Sequence, residues 1–267
     1  MEPSHLSTAV VPNPSLEARP NGRPPGPVWR YAYIFASPGL ASRRYRPLSS
    51  NVRHHMSTIS WSAEFAKVIS CAACSRATDS NILRDADENV PQPGYVEETY
   101  WKHQIALVGQ NPGTPKTLQL QDKPYTVALR RLRDTPTEAR YQELHTVLQA
   151  FIPKWPVHGN YFPLAECGLS LRDIAYFNVV RCRTGGDAKP GVNTVNSCLH
   201  NHFGRWLDNL APRVVVFIGK WAADRASQEV ERRGIPFAFM NRQRSLSSHE
   251  RSENRRAVVQ LVRASDA

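Results

Sequence analysis

The chain has no apolar run of the roughly eighteen residues a membrane-crossing helix requires, so nothing in it reads as a membrane span. Its opening, MEPSHLSTAVVPNPSLEARP, lacks the basic-then-apolar layout of a secretory signal. Without a signal for export, the expected compartment is the cytoplasm, or the nucleoid of a bacterium, where disulfides have little use. Acidic residues are scarce, 23 Asp and Glu against 34 Lys and Arg, which leaves a net charge of +11. That balance favours a polyanionic partner, because neutralising phosphates releases condensed counterions, and nucleic acid is the first candidate. Lysine is missing altogether from residues 1–55, where seven Arg and two Glu supply +5, leaving +6 for the remainder.

Residues 1–55 also hold nine of the 21 prolines, scattered without period. Few apolar faces can form there, and the ordering entropy has little to offset it, so the segment reads as a disordered extension. Two other readings stay open: an organelle-targeting peptide, or an overlong start with Met56 as the true initiator. The folded unit is expected over 56–267, and no internal repeat is visible.

Beyond Met56, short apolar runs alternate with helical patterns. The runs are IALVG (105–109), IAYFNVV (174–180), RVVVFIG (213–219) and IPFAFM (235–240). Between them lie TPTEARYQELHTVLQAF, TVNSCLHNHFGRWLDNL and KWAADRASQEVERRG, and WSAEFAKVIS precedes the first. Strands that alternate with helices predict an α/β fold, a three-layer α/β/α sandwich with a central four-stranded parallel sheet. Ligands of such sheets bind at the carboxyl ends of the strands. Those ends here are GQNPGTP, RCRTGG, GKWA and NRQRS.

Five cysteines occur, at 71, 74, 167, 182 and 198. Cys71 and Cys74 have the C-x-x-C spacing that converges two sulfurs on one centre, and Cys182 and Cys198 can add two more ligands. Four thiolates suit zinc or an iron-sulfur cluster; buried free thiols or a redox pair are the alternatives. Cys167 reads as a small buried apolar residue. In ALVGQNPGTP, a strand runs into a tight turn that exposes an Asn side chain and backbone N–H groups at the sheet edge.

Taken together, ALVGQNPG, Pro124-Tyr125, FNVVRC, Cys198, RVVVFIGKWAA and the upstream C-x-x-C resemble, in order and spacing, the iron-sulfur (family four) uracil-DNA glycosylases. The likeness runs from about Cys71 to Arg263. It implies a 4Fe-4S cluster on Cys71, Cys74, Cys182 and Cys198. It also implies a partner, DNA containing uracil or another deaminated base, that is read after the base leaves the stack. Asn178 matches the asparagine that pairs with the uracil edge, and Tyr125 falls where an aromatic ring stacks on the base. Gly109 and Gln110 belong to the same base-binding turn, and Asn111 occupies the position that governs the attacking water.

Two motifs depart from family four. GQNPG resembles the mismatch-specific branch, in which the Asn positions the water, and an amide is too weak a base to do more. FMNRQRS places Asn241 where the family has a His, and His249 lies too far along the chain to replace it. An amide there implies a slow enzyme or a shifted base preference. Lys220, Arg242 and Arg244 are DNA-binding candidates, with Arg251, Arg255 and Arg256 beyond them. The resulting expectation is a monomeric, monofunctional glycosylase that leaves an abasic site. A catalytically weak iron-sulfur DNA-binding relative and a zinc-bound RNA-binding or adaptor protein are the competing readings.

Overall fold

A computed structural model describes residues 59–74, 79–84, 89–113, 123–151, 162–241 and 246–266. The expectations for residues 1–55, Met56, Arg242 and Arg244 lie outside these. Strands β1 (Ile82–Leu83), β2 (Tyr95–Val96), β3 (Ile105–Gly109), β4 (Ile174–Asn178), β5 (Arg183–Thr184), β6 (Val214–Ile218) and β7 (Phe237–Met240) follow in chain order. Helix α1 (Trp61–Ile69) precedes them, and α2 (Tyr100–His103) leads into β3. Helices α3 (Lys123–Asp134) and α4 (Glu138–Phe151) lie between β3 and β4. After β5 come α5 (Val192–Cys198) and α6 (Gly204–Leu210); α7 (Lys220–Glu231) follows β6, and α8 (Ser248–Asp266) follows β7.

The main sheet has the order β2-β4-β3-β6-β7. Four of its strands are parallel, as expected, and β2 joins β4 as an antiparallel edge. That fifth strand spans only two residues, too short for a periodic apolar pattern to betray it in sequence. Alternation along the central strands divides the core into two. Ala106, Val108, Ala175, Phe177, Val215 and Phe217 face one layer, and Ile105, Leu107, Ile174, Val214, Val216 and Ile218 face the other. Helices cover both faces, which is why these strands read as unbroken apolar runs.

The first layer holds Phe65 and Val68 of α1, Leu129 and Leu132 of α3, and Trp206 and Leu207 of α6. The second is closed by Val258, Val259 and Val262 of α8, one apolar stripe of an otherwise polar helix. The single helix expected over 194–210 is interrupted by a π-helical turn, Leu199–Phe203, which buries His202 and Phe203. A separate two-stranded ladder pairs β1 with β5, Ile82 opposite Thr184 and Leu83 opposite Arg183. It joins the segment after the C-x-x-C pair to the segment after Cys182.

Candidate active site and sulfur pocket

Parallel pairing aligns the carboxyl ends of β3 and β4, with Gly109 directly opposite Asn178. The two loops stay zipped past the strand ends, since Val179 N–H donates to the Gly109 carbonyl and Val180 N–H to that of Gln110, each at 2.9 Å. Asn178 is 6% exposed, and its Oδ1 accepts from the Tyr176 hydroxyl at 3.2 Å. That bond fixes the amide's orientation: one lone pair of Oδ1 is used, and the second lone pair and the Nδ2–H donors remain for a ligand.

The direction of the Asn111 amide is also determined. Nδ2 lies 3.2 Å from the Pro112 carbonyl and 3.0 Å from Thr184 Oγ1. A carbonyl only accepts, so the group facing it is the NH2. Thr184 in turn gives its single proton to the Ala188 carbonyl at 2.6 Å, so toward Asn111 it can only accept. The chain of donors therefore runs Asn111 to Thr184 to Ala188 and leaves Asn111 Oδ1 as an acceptor that can take a hydrogen from water. Nothing in the sequence singles out Thr184, 73 residues away from Asn111.

Lys220 and Asn241 follow β6 and β7 at the same sheet edge, and the other candidates lie on helices. Gly219 takes φ +97°, a conformation that favours glycine, before Lys220 opens α7. Lys220 Nζ is turned along the helix to Asp224 at 2.6 Å. Asn241 follows β7 and is bracketed by Asn254, which accepts from its N–H at 2.7 Å and donates to the Phe239 carbonyl at 2.9 Å. His249 is exposed and pairs with Glu253 at 3.3 Å. Arg255 holds Glu166, with 2.7 Å from Nε to the carboxylate. Tyr125, in the first turn of α3, is 3% exposed and packs within the first core layer; a base can meet its ring only if that turn opens.

The sulfur residues fall in two places. Cys167 belongs to the second core layer, where burial pushes its thiol up to about 11. Cys74, Cys182 and Cys198 are buried in the first layer, Cys71 is half-buried, and all five are free thiols. Cys198 hydrogen-bonds Cys74 and, with Ser197 and the Arg84 charge, holds the Cys74 thiol below the ordinary range against the cost of burial. The same Cys74 contact and then burial hold Cys198 high, opposed by a backbone N–H from Arg181. Burial first, then the charges of Cys74 and Cys71, push Cys182 up to about 12. Cys74, Cys182 and Cys198 thus share one core layer. Arg84 fastens the first pair by donating to the carbonyls of Cys71 and Cys74. Among the described residues no three of His, Cys, Asp or Glu gather closely enough to hold a metal ion.

With this geometry in hand, comparison with known proteins gives a family. The model described as the uracil DNA glycosylase superfamily matches residues 99–262, which include both strand ends, Asn111, Asn178 and Asn241. The chain belongs to that superfamily, and as a member it is a DNA glycosylase, a hydrolase whose substrate is DNA. No curated protein matches it. No described helix is long and apolar enough to cross a membrane.

Proposed function

We propose that the chain is a monofunctional glycosylase that hydrolyses the N-glycosidic bond of uracil, or of another deaminated base, in DNA and so begins base excision repair. The observation that carries this reading is the pair of oriented amides at the ends of β3 and β4. Asn178 offers an acceptor lone pair and an N–H donor side by side, complementary to the N3–H and O4 of a flipped uracil. Asn111 offers one acceptor oxygen, which suits a water held for attack. An amide removes no proton at neutral pH, so bond cleavage runs ahead of attack and the water needs placement more than deprotonation. Asn241 donates to the departing base more weakly than an imidazole, and the expected consequence is a modest rate.

The same reading gives Cys71, Cys74, Cys182 and Cys198 a 4Fe-4S cluster. Support comes from the donor chemistry, with three of the four thiols buried in one layer and Cys71 tied to Cys74 through Arg84. A polynuclear cluster also spaces its ligands more widely than a single ion does. The buried Arg181 beside them has N–H groups with no partner, as a missing anion would leave it. Such a cluster would crosslink segments distant in sequence, a structural contribution. Incubation of the purified protein with oligonucleotides carrying uracil, hypoxanthine or xanthine, followed by alkaline cleavage of abasic sites, tests the activity. Cleavage of none of the three would leave the DNA-binding reading in its place.

A further inference from the structure

An asparagine amide can face a base in two ways. Its ends are alike in size and opposite in hydrogen bonding, so a half-turn about χ2 exchanges acceptor for donor. Uracil presents N3–H beside O4 and meets Oδ1 and Nδ2 in that order. Cytosine presents N3 as an acceptor beside an exocyclic amine, and it meets the turned amide equally well. An Asn that turns freely therefore reads both bases, and a pocket that accepts cytosine would excise sound nucleotides.

Tyr176 supplies a constraint on that turn. Its hydroxyl lies 3.2 Å from Asn178 Oδ1 and is, among the described residues, the only hydrogen-bond partner of that side chain. The two residues stand two apart on β4, so their side chains leave the same face of the sheet. Strand pairing holds Tyr176 from both sides, opposite Leu107 of β3 and Tyr95 of β2. Its half-buried ring packs against both core layers. Gly109, opposite Asn178, has no side chain to come between hydroxyl and amide, where a Cβ would crowd both atoms. A phenol donates more readily than it accepts, because its oxygen lone pairs are delocalised into the ring. Turning the amide would set its NH2 against that hydroxyl and exchange a good hydrogen bond for a poorer one.

We propose that Tyr176 is a specificity-determining positioning residue, its hydroxyl holding Asn178 in the uracil-reading orientation and so excluding cytosine. This role rests on the reading of Asn178 given above.

The test measures binding of the full-length protein to oligonucleotides carrying 2′-fluoro-2′-deoxyuridine or 2′-fluoro-2′-deoxycytidine. The fluorine destabilises the oxocarbenium-like sugar and blocks cleavage, so base preference is read apart from leaving-group chemistry. Wild type is expected to prefer the uracil analogue. Tyr176→Phe, which removes only the hydroxyl, is expected to lower the uracil-over-cytosine affinity ratio about tenfold, the scale of one net hydrogen bond. The same change made in Asn178→Asp is expected to leave that variant's ratio unaltered, because the two oxygens of an ionised carboxylate are alike and have no orientation to hold. An unchanged ratio in Tyr176→Phe overturns the proposal, and so does an equal fall in both backgrounds, which would mark the hydroxyl as structural only. A wild type without preference for the uracil analogue removes the Asn178 reading itself, an outcome distinct from failure of the Tyr176 role alone.

Discussion

Gly109 and Asn178 face each other across β3 and β4 so closely that a Cβ on Gly109 would stand 2.3 Å from the Asn178 amide oxygen and 2.7 Å from the Tyr176 hydroxyl. No side chain fits there without displacing the amide proposed to read the base. Gly109→Ala is expected to slow single-turnover excision about 100-fold through misplacement of Asn178. The accompanying overpacking cost is about 1–3 kcal/mol, visible as a lowered thermal midpoint. An unchanged rate would mean that Asn178 has no part in the reaction.

Thr184 is expected to matter to the chemical step through its hold on Asn111. Thr184→Val keeps the shape and removes both the acceptor for Asn111 and the donor to Ala188. Single-turnover excision should fall by about 100-fold, the scale of a misplaced reacting group, with DNA affinity kept. Thr184→Ser should restore most of the rate. If Val and Ser behave alike, the hydroxyl does not orient Asn111.

The roles given to the two asparagines predict different signatures. Asn178→Asp turns a donor into an acceptor opposite the uracil O4, so preference should relax toward cytosine, whose exocyclic amine is a donor. Asn111→Ala should leave DNA binding nearly intact and slow the chemical step by about 100-fold, the scale of one positioned catalytic group. Oligonucleotides with uracil or cytosine at one position, assayed in single turnover, separate the two.

An acid-dependent contact anchors the helix that leads into the C-x-x-C pair. Glu64 of α1 accepts from Arg205 of α6 through both oxygens, each at 2.6 Å, and from Lys67 at 2.9 Å. Burial alone would raise its carboxyl, but Arg205 and Lys67 prevail and hold it below its ordinary value of 4.5. A depressed carboxyl contributes stability that is complete above pH 4.5 and lost as pH falls through the folded value. Arg205→Ala should cost about 1–2 kcal/mol at neutral pH, between the worth of exposed and buried pairs. The deficit should shrink on acidification below that range, as read from thermal midpoints of both proteins across pH.

Much of the fold was legible because each central strand carries its own signal. IALVG coincides with β3, and the apolar runs at 174, 213 and 235 differ from β4, β6 and β7 only at their ends. The β1–β5 ladder and edge strand β2 span two residues each, and pairing at that length is decided by distant partners rather than by local pattern. The site divides the same way. Asn111 and Asn178 stand out because they end apolar strands. Thr184 and Tyr176 look ordinary in sequence, and what sets them apart is what the fold places beside each, an asparagine amide.

The short β1–β5 ladder begins one residue after Cys182 and includes Thr184, and its other strand leads into Arg84, which clasps the carbonyls of Cys71 and Cys74. The cysteine segments and the Asn111 amide thus hang from one splint. Under the role given to Asn111, a half-assembled copy in which these segments have not met has no firm seat for its water. Such a copy is expected to be inert toward DNA until the two segments meet.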